Sequence, residues 1–560
     1  MKNNFKFFLL NRHFMALILI LLFFFISQLS ILDKPGMQED EGNMLVPSME
    51  LAYRKEISYG YSFNHFGIHY PTMVGSYTGN NLTIPVAFLT RIFGFHLVLV
   101  RLLWVVVSMG VILLVFLVCR ELFNNTVGLI ASLLLAINPS FWMFSHVGAH
   151  AQTNLMLDIM GSLLFFLLFS RTQWRLYLIL AMFLLGHGIY TKLAFGYFLI
   201  AYLIAFTYLW LRRRLEKEFF SLPNLLLGGM AFLFGLWPLL YFTISTGAPL
   251  QALKRAFTGN TVLGESNLDI GQNFLIRLNQ LREYLLVGGA PADMILTGLP
   301  VRHNNLMPYV FCLSLLFLVA LILWPGQRSF SKERLAFIVL VICVYQVLII
   351  FTPSTLNYGV FTFIPPYIAI TLALALYLFY QTLNSGRFRD LRWIAILGII
   401  LLGYSEINTL SSQYNEVAAT GGRGAWSSTI FELKDYLLEH PEAKPIGLDW
   451  GLGWPVYALS DLQVNPWSAY WSYTVEEDGT PILWAMTPPP EFSGLMSKLI
   501  LQPENIYLAR DEQFASFKGR LAALETVAKE NGAELVKIHS IFEADGHEFI
   551  SVYKITWPDE

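Results

Sequence analysis

The chain has 560 residues, of which 55% are hydrophobic and only 14% are charged, and its mean hydropathy is positive. This composition indicates an integral membrane protein. The formal net charge of -2, together with a sequence that has no glycine-rich phosphate loop after a strand, argues against a nucleic-acid-binding protein. We therefore expect no nucleic acid among its partners.

The first apolar run, residues 14–32, is long enough to cross the hydrocarbon core of a bilayer. Lys2, Lys6 and Arg12 precede it and no small-residue cleavage site follows it, so we interpret it as an uncleaved span and not as a signal peptide. The predicted fold is an α-helical polytopic membrane protein with about 11–13 transmembrane helices, some of them broken or re-entrant. The further predicted spans are residues 97–119, 127–144, 155–169, 176–190, 193–211, 225–244, 307–324, 335–351, 360–380 and 391–404.

Lysines and arginines beside the spans predict the topology, because such residues concentrate on the cytoplasmic side. With a cytoplasmic N-terminus, the loops 33–96 and 246–306 and the whole region after the last span lie outside the cytoplasm. We expect a multi-pass protein of the bacterial inner membrane. The basic residues that then share the cytoplasmic side are Lys2, Lys6, Arg12, Arg120, Arg171, Arg175, Arg212, Arg213, Arg214, Lys217, Arg328, Lys332, Arg334, Arg387, Arg389 and Arg392.

Three consecutive acids, Glu39, Asp40 and Glu41, follow the first span and so lie at its non-cytoplasmic rim. Carboxylates beside a bilayer are costly to desolvate and usually face a cavity or water, which makes this segment a candidate reaction centre. A solvated acidic loop is the alternative interpretation. Because nucleotide-activated donors are cytoplasmic, an enzyme with this site needs a donor already carried across the membrane, and a lipid-linked donor meets that need.

Several aromatic and histidine side chains occur along the first outer loop, among them His65 and Tyr70. Such side chains suit a sugar or lipid-headgroup surface. They also populate the interface belts of membrane proteins, and the sequence does not separate the two interpretations.

Two histidines four residues apart, His146 and His150, suggest a metal site only weakly, since a third ligand would have to come from Asp40. A divalent metal ion is thus an open possibility, and hydrogen bonding is the more favoured role. Lys192 lies at the outer rim, where its ammonium group suits a phosphate, although a snorkelling interfacial lysine is the alternative. Arg302 in the loop 246–306 is a further phosphate candidate, or a plainly solvated residue.

Several short motifs occur in a characteristic order over about the first 210 residues. Together they resemble the protein O-mannosyltransferase and aminoarabinose-transferase group of GT-C glycosyltransferases. The motifs are Asp40-Glu41 after the first span, Tyr70-Pro71 and Pro85 in the first loop, Arg101 at the start of the second span, Asn138-Pro139 at the end of the third, and Gly188-Ile189-Tyr190-Thr191-Lys192 before the sixth.

The resemblance implies an enzyme that moves a sugar from a polyprenyl-phosphate carrier to a lipid, polysaccharide or protein acceptor on the outer face, with inversion. It implies Asp40 as the general base. We also expect Glu41 to be catalytic, by orienting the acceptor or holding a metal ion, and Glu39 to be the least important of the three acids. Lys192, Arg101 and Arg302 are the predicted ligands of the donor phosphate. Predicted substrate-binding residues are His65, Tyr70, His150, Asn154 and Tyr190. Near the start of the fourth span the family commonly has another aspartate, where this chain has Asn154, with Asp158 one turn deeper.

The composition changes after the last span, and we divide the chain into a transmembrane glycosyltransferase domain, residues 1–410, and a soluble extracytoplasmic α/β domain, residues 411–560. A lid or acceptor-recognition module and a structural cap are the two roles considered for the second domain. Two other functions remain open: an oligosaccharide polymerase or ligase, and a transporter or flippase of a lipid-linked sugar. A transporter normally shows repeated halves, and no internal repeat is visible.

Overall fold

The structure is a computed structural model that describes residues 12–558, except 58–60, 66, 76–77, 148–151, 213–220, 259–266, 289–294, 297, 300, 325–330, 353–357, 385–388, 472–487 and 489. The first part is almost entirely helical, with one short hairpin, β1 (Tyr61–His65) and β2 (Ile68–Met73), between its second and third helices. Its helices are α1 (Arg12–Leu29), α2 (Glu39–Ala52), α3 (Thr83–Phe93), α4 (Leu97–Leu122), α5 (Asn125–Ala136), α6 (Pro139–Val147), α7 (Gln152–Thr172), α8 (Arg175–Thr191), α9 (Phe195–Leu211), α10 (Leu222–Thr246), α11 (Ala248–Thr258), α12 (Ile270–Val287), α13 (Met307–Leu323), α14 (Lys332–Leu348), α15 (Pro365–Asn384) and α16 (Arg392–Thr420).

Within the described residues, seven helices are long and apolar enough to cross a membrane: α1, α4, α7, α10, α14, α15 and α16. The pair α5 and α6 passes the same test as one span bent by 65°, and α3, α8, α9 and α13 are shorter apolar helices. Except for α3, which matches no predicted span, these elements correspond to the eleven apolar runs of the sequence. The chain is an integral membrane protein, and the third predicted span is corrected from one helix to a broken one. The bend falls at Asn138, which precedes Pro139, because a residue before proline is disfavoured in helical conformation.

Close backbone contact fixes the position of α8, the helix that ends beside Lys192. A Cβ atom built on Gly186 would come within 2.1 Å of the Phe232 carbonyl oxygen in α10, and one on Gly235 within 2.3 Å of the Phe183 carbonyl oxygen. Glycine is therefore required where α8 and α10 cross, since only small residues let two membrane helices approach this closely.

The two ends of the helical body differ in chemistry. At one end, Arg120 and Arg171 both pair with Glu121, and Arg334 donates to the Leu122 carbonyl at 2.7 Å. At the other end lie α2, the hairpin and the C-terminal region. The three arginines belong to the groups that the topology places in the cytoplasm.

The C-terminal region is an α/β domain, as the sequence predicts. Its five-stranded sheet has the order β4-β3-β5-β7-β6, in which β4, β3 and β5 are parallel and β7 is antiparallel to both of its neighbours. Leu433 and Val456 pack on one face of the sheet, and Phe492 and Leu524 on the other. The elements are α17 (Thr429–Glu439), β3 (Lys444–Gly447), α18 (Trp454–Leu459), β4 (Trp467–Ser468), α19 (Pro490–Leu499), β5 (Asn505–Arg510), α20 (Arg520–Glu530), β6 (Glu534–Phe542) and β7 (Glu548–Thr556).

The division of the chain at residue 410 falls inside a helix, because α16 continues from the membrane body to Thr420. The helix stops at Gly421, whose positive φ of 72° ends it in a left-handed turn. The first helix of the α/β domain begins at Thr429. The membrane body and the domain thus share one long helix as their covalent connection.

Candidate active site

The acidic segment is the first turn of a helix and not a loop, which corrects one of the two interpretations of the sequence. Gln38 is the N-cap of α2, and its side-chain oxygen accepts a hydrogen bond from the Asp40 backbone N–H at 2.8 Å. Glu39, Asp40 and Glu41 then occupy the first turn, where the partial positive charge of the helix N-terminus favours carboxylates.

Glu41 is held by the membrane body through Arg101 of α4. The carboxylate accepts from Arg101 Nε at 2.9 Å and from Nη2 at 2.8 Å, and the two side chains are 1% and 0% exposed. The remaining N–H groups of the guanidinium point at the backbone carbonyls of Leu32, Pro35 and Gly36. All five donors of Arg101 are used in this network, which anchors α2, and its role as a ligand of the donor phosphate stays a prediction.

Glu39 is held from the opposite side by the C-terminal domain. It is fully buried, and Tyr470 Oη donates a hydrogen bond to its Oε1 at 2.6 Å. Burial raises the pKa of Glu39 to about 7, although the bond from Tyr470 and the backbone N–H of Trp454 act in the other direction. The expectation that Glu39 is the least important acid does not take this contact into account.

Asp40 lies between these two fixed neighbours and is only half-buried. Gln38 Nε2 is 3.4 Å from its Oδ2. Met44 of α2 packs against Val74 of the first loop, and Thr78 of the same loop forms a β-bridge with Lys192, so the charge of Asp40 acts on Lys192. Burial lowers the pKa of Lys192, and the charge of Asp40 counteracts this effect. The structure thus brings together the predicted base and the predicted phosphate ligand from segments about 150 residues apart in sequence.

The segment that carries Lys192 is joined to the first loop by several hydrogen bonds. Lys192 itself has an extended backbone and forms an isolated β-bridge with Thr78. Next to it, Asn81 Nδ2 donates to Thr191 Oγ1 at 2.9 Å, and the Gly79 N–H donates to the Thr191 carbonyl at 3.1 Å. The end of α8 and the first loop are therefore one structural unit.

Tyr190 belongs to the same unit, and its role in substrate binding stays a prediction. Its ring is only 5% exposed, and its hydroxyl donates to the Thr72 carbonyl at 2.7 Å. A Cβ on Gly79 would lie 2.4 Å from the Tyr190 carbonyl oxygen, so the loop is packed directly against it. Tyr190 fixes the first loop on α8.

The other predicted substrate residues are more dispersed. Tyr70 is half-buried in β2 and packs against Phe63 with ring centroids 5.5 Å apart. His65 ends β1, but its side chain lies outside the described residues, as does all of His150. Asn154 is buried, and its Nδ2 has no hydrogen-bond partner in the part of the chain that the structure describes. A contact between Asn154 and a sugar stays a prediction.

Arg302 is bound to α16. Its Nη1 donates to Asn408 Oδ1 at 2.8 Å and its backbone N–H to Ser412, both in α16. Its contact with a donor phosphate also stays a prediction.

The environment of His146 does not fit a metal ion. The side chain is fully buried, its Nε2 is 3.0 Å from the Lys34 carbonyl, and the positive charge of Arg101 is close enough to act on it. A neighbouring guanidinium repels a cation. Among the described residues, no three His, Cys, Asp or Glu side chains are grouped so that they could hold a metal. These contacts make His146 a buried structural residue, while the metal site suggested with His150 and Asp40 stays a prediction, because His150 lies outside the described residues.

One pair of side chains is not predicted as part of the site. Asp158 of α7 lies 2.9 Å from His187 Nδ1 of α8, one turn below the rim that carries Lys192. Ionisable residues within a span usually pair with one another, so the sequence could have predicted that Asp158 has a partner. It could not have predicted that the partner is His187. Asn154 precedes Asp158 by four residues and so shares its helix face.

Eleven apolar spans or half-spans, an acidic helix at one rim and a C-terminal α/β domain docked on that helix define the class of the protein: it has the fold of the GT-C glycosyltransferases. Comparisons with known proteins agree with this class. A family model described as dolichyl-phosphate-mannose-protein mannosyltransferase matches residues 85–242. A comparison with curated protein sequences finds no significant match.

Two solved structures are similar over most of the chain. ArnT from Cupriavidus metallidurans bound to undecaprenyl phosphate has a TM-score of 0.55 at 14% identity, covering 96% of this chain and 97% of that one. The archaeal oligosaccharyltransferase AglB from Archaeoglobus fulgidus, in complex with an inhibitory peptide and a dolichol-phosphate, has a TM-score of 0.53 at 15% identity, covering 92% and 71%. The resemblance inferred from the sequence is confirmed at the level of the fold.

Proposed function

We propose that the protein is an inverting glycosyltransferase that moves a sugar from a polyprenyl-phosphate donor to an acceptor hydroxyl or amine at the non-cytoplasmic face of the membrane. The packing of α2 against the loop that bridges to Lys192 carries this proposal, because it places Asp40, a proton acceptor, and Lys192, a cation, on neighbouring elements at one rim. The lipid phosphates in the structures of ArnT and AglB support the class of donor.

In this mechanism Asp40 is the general base. Its carboxylate takes the proton of the acceptor nucleophile while that atom forms a bond to the anomeric carbon of the sugar. The bond between the anomeric carbon and the phosphate oxygen breaks on the opposite face, so one displacement inverts the configuration. The electron pair leaves with the phosphate, and Lys192 offsets the charge that develops there.

The side of the membrane on which the site lies is inferred from the distribution of basic residues. Asp40 lies at the opposite end of the helical body from the cluster of Arg120, Arg171 and Arg334. The positive-inside rule assigns the arginine end to the cytoplasm, which leaves α2 and the C-terminal domain outside. We assign the protein to the bacterial inner membrane on this basis, with a lipid, polysaccharide or protein as acceptor.

The test is sugar consumption from a panel of polyprenyl-phosphate sugars by the purified protein in lipid. Asp40→Asn keeps the size and hydrogen-bonding capacity of the side chain but removes the proton acceptor, so turnover at saturating donor should fall about 10²–10⁴-fold. The variant should retain the unfolding temperature of the natural protein. Near-normal turnover with Asp40→Asn would refute Asp40 as the base.

Lys192 is tested with the same substrates. Lys192→Ala should weaken the use of donor, whereas Lys192→Arg should keep part of it, because the charge survives while the geometry changes. Equal donor affinity in all three proteins would reduce Lys192 to an interfacial anchor. Translocation of the donor without any sugar transfer would instead support a flippase.

A further inference from the structure

The C-terminal domain contacts α2 at its first turn, which is the turn that carries Asp40. Tyr470 donates its hydrogen bond to Glu39, the residue directly before Asp40. Two residues after Asp40, Gly42 lies against the backbone of α18: a Cβ there would come within 2.7 Å of the Trp454 carbonyl carbon and 2.8 Å of the Pro455 nitrogen. The first turn of α2 is thus packed against the domain without a gap.

Tyr470 is itself held rigidly inside the domain. Its ring stacks on Phe517, with centroids 4.9 Å apart and planes inclined by 25°. The Phe517 N–H donates to Asp449 Oδ1 at 2.9 Å, and Asp449 pairs with Arg510 at 3.3 Å. These residues follow or end β3 and β5, so the phenol is fixed by the carboxyl edge of the parallel strands.

The geometry of a helix links these contacts to Asp40. Successive residues of an α-helix point about 100° apart around its axis. Glu39 is bound to the C-terminal domain and Glu41 to Arg101 of the membrane body, so the rotation of the first turn about the helix axis is set from both sides. Asp40 lies between them in the same turn, so the direction of its side chain depends on both junctions.

We propose that Glu39 and Tyr470 are positioning residues through which the C-terminal domain aims the carboxylate of Asp40. The proposal rests on the proposed function of Asp40, and it assigns to the domain a part in every turnover. A catalytic group displaced by a fraction of an ångström to about 1 Å loses up to about 10²-fold in rate.

Tyr470→Phe removes only the hydroxyl that reaches Glu39. We expect turnover to fall about 10–100-fold while KM for the lipid donor stays unchanged, because Lys192 and its loop are not touched. Glu39→Ala should show the same loss. Glu39→Gln should retain most of the activity, since an amide oxygen still accepts the bond from Tyr470.

The chain offers a matched control at the other end of the same helix. Tyr53 Oη donates to Asp461 Oδ1 at 2.7 Å and so joins α2 to the same domain, four turns away from the site. Tyr53→Phe removes an equivalent hydroxyl from the same interface and should leave turnover unchanged. Equal losses from Tyr470→Phe and Tyr53→Phe, or a loss confined to KM, would overturn the positioning role.

Hydrogen exchange provides a readout that does not depend on sugar transfer. Tyr470→Phe should accelerate amide exchange at residues 39–43, whereas Tyr53→Phe should accelerate it only near residue 53. Unchanged exchange at 39–43 in Tyr470→Phe would overturn the proposal. If the natural protein transfers no sugar from any lipid donor, the proposed function fails, and the exchange result still shows whether the domain holds the acidic turn.

Discussion

The two junctions that hold the first turn of α2 use different chemistry. Glu41 meets Arg101 in an ion pair from which water is excluded, with every guanidinium donor used. Glu39 meets Tyr470 through one hydrogen bond from a neutral group. The difference shows which junction is adjustable. The junction with the membrane body fails if either charge is removed, whereas the strength of the junction with the C-terminal domain depends on the protonation of Glu39 and therefore on pH.

The largest effect should come from breaking the ion pair. Arg101→Met leaves the buried carboxylate of Glu41 without its partner, and Glu41→Gln leaves the buried guanidinium of Arg101 without a counter-charge. Each variant should lose about 3–5 kcal/mol of stability. Thermal unfolding in detergent and the yield of monodisperse protein measure this loss. The double variant Arg101→Met/Glu41→Leu removes both charges and should recover much of the stability. Single variants as stable as the natural protein would mean that the two junctions do not differ.

The second prediction concerns pH and the junction at Glu39. Burial raises the pKa of Glu39 from 4.5 to about 7 when the C-terminal domain is docked on α2. Between these pH values, Glu39 therefore binds more protons in the docked state than in a state in which the domain has separated from α2. Docking should therefore weaken as pH rises from about 4.5 to about 7, by at most about 3 kcal/mol, and stay level above that. The charged neighbours of Glu39 are Asp40, which raises its pKa, and Arg510, which lowers it.

Glu39→Gln is the control for this window, because the amide does not titrate. In the natural protein, the rate of hydrogen exchange at residues 39–43 should differ between pH 5 and pH 8 by more than the intrinsic pH dependence of exchange. The same measurement on Glu39→Gln gives that intrinsic dependence. The same pH dependence in both proteins would assign the effect to other groups.

The smallest change is a single methyl group at the glycine contact. Gly42→Ala should force the backbones of α2 and α18 apart, at a cost of about 1–3 kcal/mol, although alanine favours a helix. Gly196→Ala is the matched control, since a Cβ at that helical glycine meets no atom within 4 Å. The midpoint of thermal unfolding should fall only for Gly42→Ala. Equal midpoints would show that the contact at the domain junction is loose.

Much of the membrane body could be predicted because apolar runs are local signals. The run 97–119 became α4 and the run 225–244 became α10 with small changes at the ends. The helix α2 was missed because four acids break up its apolar residues and Pro47 lies inside it. Its start was nonetheless encoded: Gln38 caps a turn of three acids, which is typical of a helix N-terminus.

The site itself was predictable only in part. Asp40 and Lys192 were found from motif order, and the structure brings them together. The pairing of Arg101 had a physical signal, because a guanidinium inside an apolar run needs an acid nearby, and the sequence offered three. The contact of Glu39 with Tyr470 had no such signal, since Tyr470 lies in a polar domain with no periodic relation to α2.

The bond between Glu39 and Tyr470 joins residues 431 positions apart, and this has a consequence for biogenesis. The acidic turn leaves the ribosome just after the first span, whereas Tyr470 is synthesised after all the membrane helices. Until then we expect Glu39 to remain hydrated and the first turn of α2 to be held only by the pair of Glu41 with Arg101. We therefore expect a nascent chain halted before the C-terminal domain to insert its helices but to stay inert, so that no partly built protein consumes lipid-linked sugar.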